Sequence, residues 1–134
     1  MANCTLKREE RIKSKKLSEA LFAGGATSHS VFPIRVVYKN LNTPTSILVS
    51  VSKKRFKHAV DRNRVKRLIR EAYRLNKASL LAKLEEKNTS LAIAFIYIST
   101  KKFSFEEVQN SMTKILTMIS EDLDKKDEHA KDIN

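Results

Sequence analysis

The segment from Lys53 to Arg74 carries Lys53, Lys54, Arg55, Lys57, Arg62, Arg64, Lys66, Arg67, Arg70 and Arg74 against only Asp61 and Glu71. A guanidinium is a planar fork that grips a phosphate through two parallel hydrogen bonds, whereas a lysine supplies charge without that geometry. Placed on a helix of 3.6 residues per turn, Val65, Leu68, Ile69 and Ala72 gather on one side. Asn63, Lys66, Arg67, Arg70 and Arg74 fall within a sector of roughly 100° on the other. One face packs and the other is a ridge of positive charge. Asn63 adds a donor and an acceptor able to read a base edge or a 2′-hydroxyl. Solvated helix faces usually mix signs and carry glutamate, and this one is almost purely cationic, so the chemistry is phosphate recognition on folded RNA.

Other chemistries find little support. A metal-dependent nuclease needs carboxylates converging with a base, yet the acids cluster at Glu85 and Glu86, at Glu106 and Glu107, and beyond Glu121. His29, His58 and His129 are scattered without metal-ligand spacing, and two glycines cannot build a phosphate-cradling loop. No catalytic residue and no metal ligand is therefore assigned, and the protein alone is expected to bind no cofactor. Cys4 is the single cysteine, so an internal disulfide is impossible and a reducing compartment fits.

The whole chain repeats the bias. Among 134 residues, 27 Lys and Arg face 15 Asp and Glu, a formal charge of +12. That imbalance favours polyanionic partners. Hydrophobic residues at 41% supply enough material for one core. The longest apolar run, Leu91 to Ile98, falls far short of the roughly 20 residues that span a bilayer, and no signal-peptide pattern opens the chain. A cytoplasmic address with no membrane partner follows.

The elements that must position the ridge can be read from periodicity. Leu17, Ala20, Leu21 and Phe22 share a helical face that Gly24 and Gly25 end. Val31 to Lys39 reads as one strand, with Phe32, Ile34, Val36 and Tyr38 on one side and Arg35 and Val37 on the other. Ile47 to Ser52 alternates likewise after a turn at Asn40 to Thr45, which predicts a hairpin of these two strands. Ala59 to about Leu75 is the long basic helix, and Lys77 to Lys87 a second helical piece. Leu91 to Ile98 is expected at the centre of a sheet. Ser104 and Glu107 form a capping box for a last helix, with Val108, Met112, Ile115, Leu116 and Ile119 as its buried stripe. From Glu121 onward six acids oppose three lysines and apolar spacing fades, predicting a frayed end. The expected organisation is one domain over residues 1–122 and an acidic tail over 123–134.

The run Ser50-Val51-Ser52-Lys53-Lys54, followed by Ala59-Val60-Asp61-Arg62-Asn63-Arg64-Val65-Lys66-Arg67-Leu68-Ile69-Arg70-Glu71, resembles the signature of the protein subunit of bacterial ribonuclease P. Arg11-Ile12-Lys13 before a short helix, the Phe32 strand, the apolar strand near Ile93 and the final amphipathic helix come in that family's order. The resemblance implies an α+β domain, a four-stranded sheet with helices packed on it and a left-handed β-α-β crossover, which general topology rules would disfavour. It implies a division of labour in which a catalytic RNA, using magnesium, removes the 5′ leader of precursor tRNA. The protein then docks on that RNA through the basic helix and the nearby Lys53 and Lys54, needing no other protein. It also implies a cleft for the single-stranded leader, formed by Arg11, Lys13, Leu17, Leu21, Phe32, Ile34 and Arg35. Leu17 and Leu21 stand where many family members carry aromatics. Strand alternation puts Ile34 and Arg35 on opposite sides, so at most one of them lines the cleft.

Two other readings compete: a structural ribosomal protein or RNA chaperone, and a DNA-binding helix module. The chain lacks a helix-turn-helix pair around the basic helix and an evident dimer seam, which weighs against the second. Cleavage of precursor tRNA by the catalytic RNA at low magnesium, with and without the protein, separates the first from the ribonuclease P reading.

Overall fold

A computed structural model of the chain describes the backbone of residues 15–133 and the side chains of residues 15–125. Its elements run α1 (Lys15–Phe22), β1 (Thr27–Val31), β2 (Ile34–Lys39), β3 (Ser46–Ser50), α2 (Ala59–Asn76), α3 (Ala78–Glu86), β4 (Ala92–Tyr97) and α4 (Phe105–Ile133). The strands form one mixed sheet in the order β1-β2-β4-β3. Strand β4 is antiparallel to β2 and parallel to β3, and the chain crosses from β3 to β4 through α2 and α3. Arg11 and Lys13, assigned to the cleft on the resemblance, lie outside the described residues.

Alternation along the strands sorts side chains onto two faces. Ile34, Val36 and Tyr38 pair with Tyr97, Phe95 and Ile93, and Ile47 and Val49 continue that face across β3. These residues join Val65, Ile69 and Tyr73 of α2 and the Val108, Met112, Ile115, Leu116 and Ile119 stripe of α4 in the larger core. The opposite face, with Val37, Ala92 and Ala94, packs beneath Leu21 of α1 in a smaller one. Because β4 is apolar toward both layers, it must lie inside the sheet, as its unbroken run predicts.

That placement overturns the expected hairpin. Strands β2 and β3 do not pair, because β4 inserts between them. The connection from Asn40 to Thr45 is tied instead to the entrance of β4: Asn40 Nδ2 donates to Thr89 Oγ1 (2.9 Å), and Thr45 Oγ1 accepts from the Leu91 N–H (3.2 Å). Asn42, at φ 58°, takes the left-handed conformation there, its N–H bonded to Asn40 Oδ1 at 2.9 Å. The hairpin present is β1 with β2, and it breaks at Phe32-Pro33, inside the stretch read as one strand.

The capping box forms as its spacing predicts. Ser104 Oγ accepts from the Glu107 N–H at 3.2 Å, and Glu107 Oε1 accepts from the Ser104 N–H at 3.2 Å. The loss of apolar spacing at Glu121 does not end the helix. Helix α4 continues to Ile133, with Leu123 buried in the larger core. Asp122 meets His29 Nε2 of β1 at 2.5 Å and accepts from the Tyr38 hydroxyl of β2. Asp124 takes Lys83 at 2.7 Å and Lys87 at 3.4 Å from the α3 side. The acids that dilute the apolar pattern hold the helix down through partners distant in sequence.

Candidate nucleic-acid interface

Helix α2 is a cationic rod because its floor is apolar. Val65, Ile69, Ala72 and Tyr73 are buried against the sheet and α4, so the positions opposite them must point to solvent. Asn63, Arg64 and Arg67 are exposed there, while Lys66 and Arg70 lie half-buried on its flank. Immediately before the helix, a turn closes where the Arg55 and Phe56 N–H groups both bond to Ser52 O at 3.2 Å. Lys53 and Lys54 are exposed on this turn and Arg55 is half-buried. Phe56 anchors it, 7% exposed with its ring 5.8 Å from that of Tyr97.

The ten predicted residues follow one another along this turn and helix, and Arg74 and Arg62 are among those committed within the chain. Arg74 donates from Nε to Glu71 Oε2 at 3.1 Å and from Nη2 to Oε1, a two-pronged pair one turn apart. Arg74 thereby holds the Glu71 carboxyl below the usual carboxylate range. Arg62 donates from Nη1 to the carbonyls of Phe56 and Lys57, each at 2.9 Å. The other helix acid, Asp61, binds Lys102 at 2.8 Å, and that hydrogen bond lowers its pKa. Lys101 and Lys102, in the loop after β4, thus adjoin the start of α2. The adjacent pair was the available signal for them, but their distance in sequence from the cationic run separated them from it.

The predicted cleft residues divide. Arg35 is exposed on the α1 face of the sheet, beside Ile96 of β4 and Ser30 of β1 in register. Leu17 is half-buried against the smaller core. Leu21, at 0% exposure, is core beneath α1 and lines no open surface. Ile34, also 0% exposed, points to the opposite face, into the larger core, because alternation separates it from Arg35. Phe32 is 62% exposed on the turn between β1 and β2, its ring edge-to-face with Phe103 at 5.5 Å. Among the described residues, no three His, Cys, Asp or Glu side chains converge as a metal cage would require, and no helix is long and apolar enough to cross a membrane.

Fold and surface together define a small basic α+β domain of the nucleic-acid-binding class. The sequence model of the family described as Ribonuclease P matches residues 6–120, and the chain belongs to that family. A ribonuclease P protein component from Porphyromonas gingivalis is 42% identical over 119 residues, covering 86% of each chain. One from Chlorobium phaeobacteroides is 32% identical over 126 residues, covering 84% of this chain and 86% of that one. The Staphylococcus aureus RNase P protein superposes with a TM-score of 0.67 at 25% identity, over 82% of this chain and 94% of its own. The RNase P protein from Thermotoga maritima shares the fold, with a TM-score of 0.64 at 19% identity over 80% and 94% of the two chains. The protein acts in tRNA processing as the protein subunit of ribonuclease P, an endoribonuclease complex with an RNA partner.

Proposed function

We propose that this protein docks on the catalytic RNA of ribonuclease P through the Lys53–Lys57 turn and the exposed side of α2, while the RNA performs the magnesium-dependent hydrolysis that removes the 5′ leader of precursor tRNA. One observation carries the reading: Asn63, Arg64 and Arg67 stand exposed directly above the apolar floor of α2 and continue the exposed Lys53 and Lys54. A rod fixed from below presents its forks at constant spacing, which suits a folded polyphosphate better than a flexible chain would. The leader is placed along the α1 side of the sheet, where Arg35 offers a phosphate fork and Leu17 and Ile96 offer apolar surface for bases. Phe32 supplies an exposed ring at the sheet end on which a base can stack. No further protein and no membrane takes part in this scheme.

The test is reconstitution: cleavage of precursor tRNA by the catalytic RNA at low magnesium, with and without this protein. Enhanced cleavage is expected. Unchanged cleavage alongside tight RNA binding would favour a structural ribosomal protein or RNA chaperone instead.

A further inference from the structure

Arg62 turns its guanidinium back onto the backbone that precedes its own helix. Both carbonyls it binds, Phe56 O and Lys57 O at 2.9 Å, belong to the segment that joins the Lys53–Lys54 turn to the helix. That segment enters α2 at His58, which makes no side-chain cap to the first turn. Two other ties hold it: the Ser52 carbonyl closes the turn, and the Phe56 ring is inserted beside Tyr97. The guanidinium completes the set by linking loop backbone to helix. Hydrogen bonds from a charged donor are roughly twice as strong as neutral ones, and Nη1 would have to surrender them to serve a phosphate.

We infer that Arg62 is a positioning residue. It holds the Lys53–Lys57 loop at a fixed distance and angle from Arg64 and Arg67, so that two separately encoded groups of cations meet one RNA surface in register. This deepens the proposed docking surface and rests on it.

A double-mutant cycle tests the assignment, using the full-length protein and the catalytic RNA at fixed salt, with circular dichroism and melting of each variant. Arg62→Ala is expected to weaken RNA binding about tenfold in the native background, the size of a lost charge-assisted interaction. Against Lys53→Ala with Lys54→Ala, the same change is expected to cost less than about twofold, because residues acting through one another are not additive. Amide exchange at Arg55 and Phe56 should quicken in RNA-free Arg62→Ala. If Arg62→Ala does not fold, Arg62→Met, which retains the aliphatic stem, takes its place. An equal loss in both backgrounds would show that Arg62 grips RNA directly and overturn the inference, as would unchanged exchange at the loop. Unchanged affinity in the Lys53→Ala, Lys54→Ala protein would instead remove the docking surface itself, and the inference with it.

Discussion

At the scale of single residues, charge and availability are different quantities. Arg64 and Arg67 are exposed on α2, whereas Arg74 is held in a two-pronged pair by Glu71. Replacing Arg64 and Arg67 together with alanine should weaken RNA binding by a few kcal/mol at most while leaving the circular dichroism spectrum unchanged. Arg74→Ala should cost less than either single change, a ranking that filter binding at constant salt can measure. The Asp122 site makes a pH prediction. Burial pushes its carboxyl up, but hydrogen bonds from Tyr38 and His29 outweigh burial and hold it below the ordinary carboxylate range. A carboxyl lowered in the folded state stabilises the protein above its unfolded pKa of about 3.9, and that contribution is lost as pH falls through the folded value. Asp122→Asn should therefore lower stability by about 1–2 kcal/mol at pH 7 and flatten the acid side of the melting-temperature profile. Burial and the Asp122 bond push the Tyr38 hydroxyl up, so its contribution persists below the unfolded pKa of about 10 and fades only at higher pH.

At the scale of elements, helices were more legible than strand partners. The 3.6-residue period marks α2 and the α4 stripe, and Ser104 with Glu107 marks where α4 begins. Ser104→Ala should cost about 1 kcal/mol by thermal melting, the usual value of an N-cap. Strand β1 escaped notice because Thr27-Ser28-His29-Ser30-Val31 is a polar edge strand exposed at alternate positions, with no apolar alternation to announce it. The wrong hairpin has a related cause. Nothing local to Val31–Ser50 records that a strand more than forty residues later in the chain will come between its two halves. Removing that strand's bulk should be costly: Ile93 and Phe95 are both 0% exposed, and truncating either to alanine should destabilise the domain by about 2–5 kcal/mol in denaturant unfolding.

At the scale of the whole molecule, the excess charge is concentrated along one helix and the turn before it. If about five phosphates are contacted, log affinity should fall by roughly three to five units per tenfold rise in salt, measurable by titration at several ionic strengths. A nearly flat response would remove the electrostatic mechanism. The candidate site was legible as a run of cations, because a charge cluster contiguous in sequence can be read before any fold is known. The uses of Arg62 and Arg74 were less accessible. Glu71 and Arg74 are three apart on a helix, a spacing that permits their pair. The carbonyls that Arg62 binds depend on how the chain enters α2, which no residue type encodes.

The insertion of β4 between β2 and β3 has a consequence for how the molecule comes into being. A ribosome working from the N-terminus releases both outer partners and the entire arginine-bearing helix before it reaches Ala92. Until Tyr97 has emerged, β3 has no strand beside it and β2 has only β1, and the floor on which that helix rests is missing its middle plank. Distant pairings of this kind are slow to form and leave sticky surface uncovered meanwhile. Translation products halted near residue 90 should accordingly stay unfolded and be destroyed by proteases, although they contain the whole Lys53–Arg74 run proposed to dock on RNA.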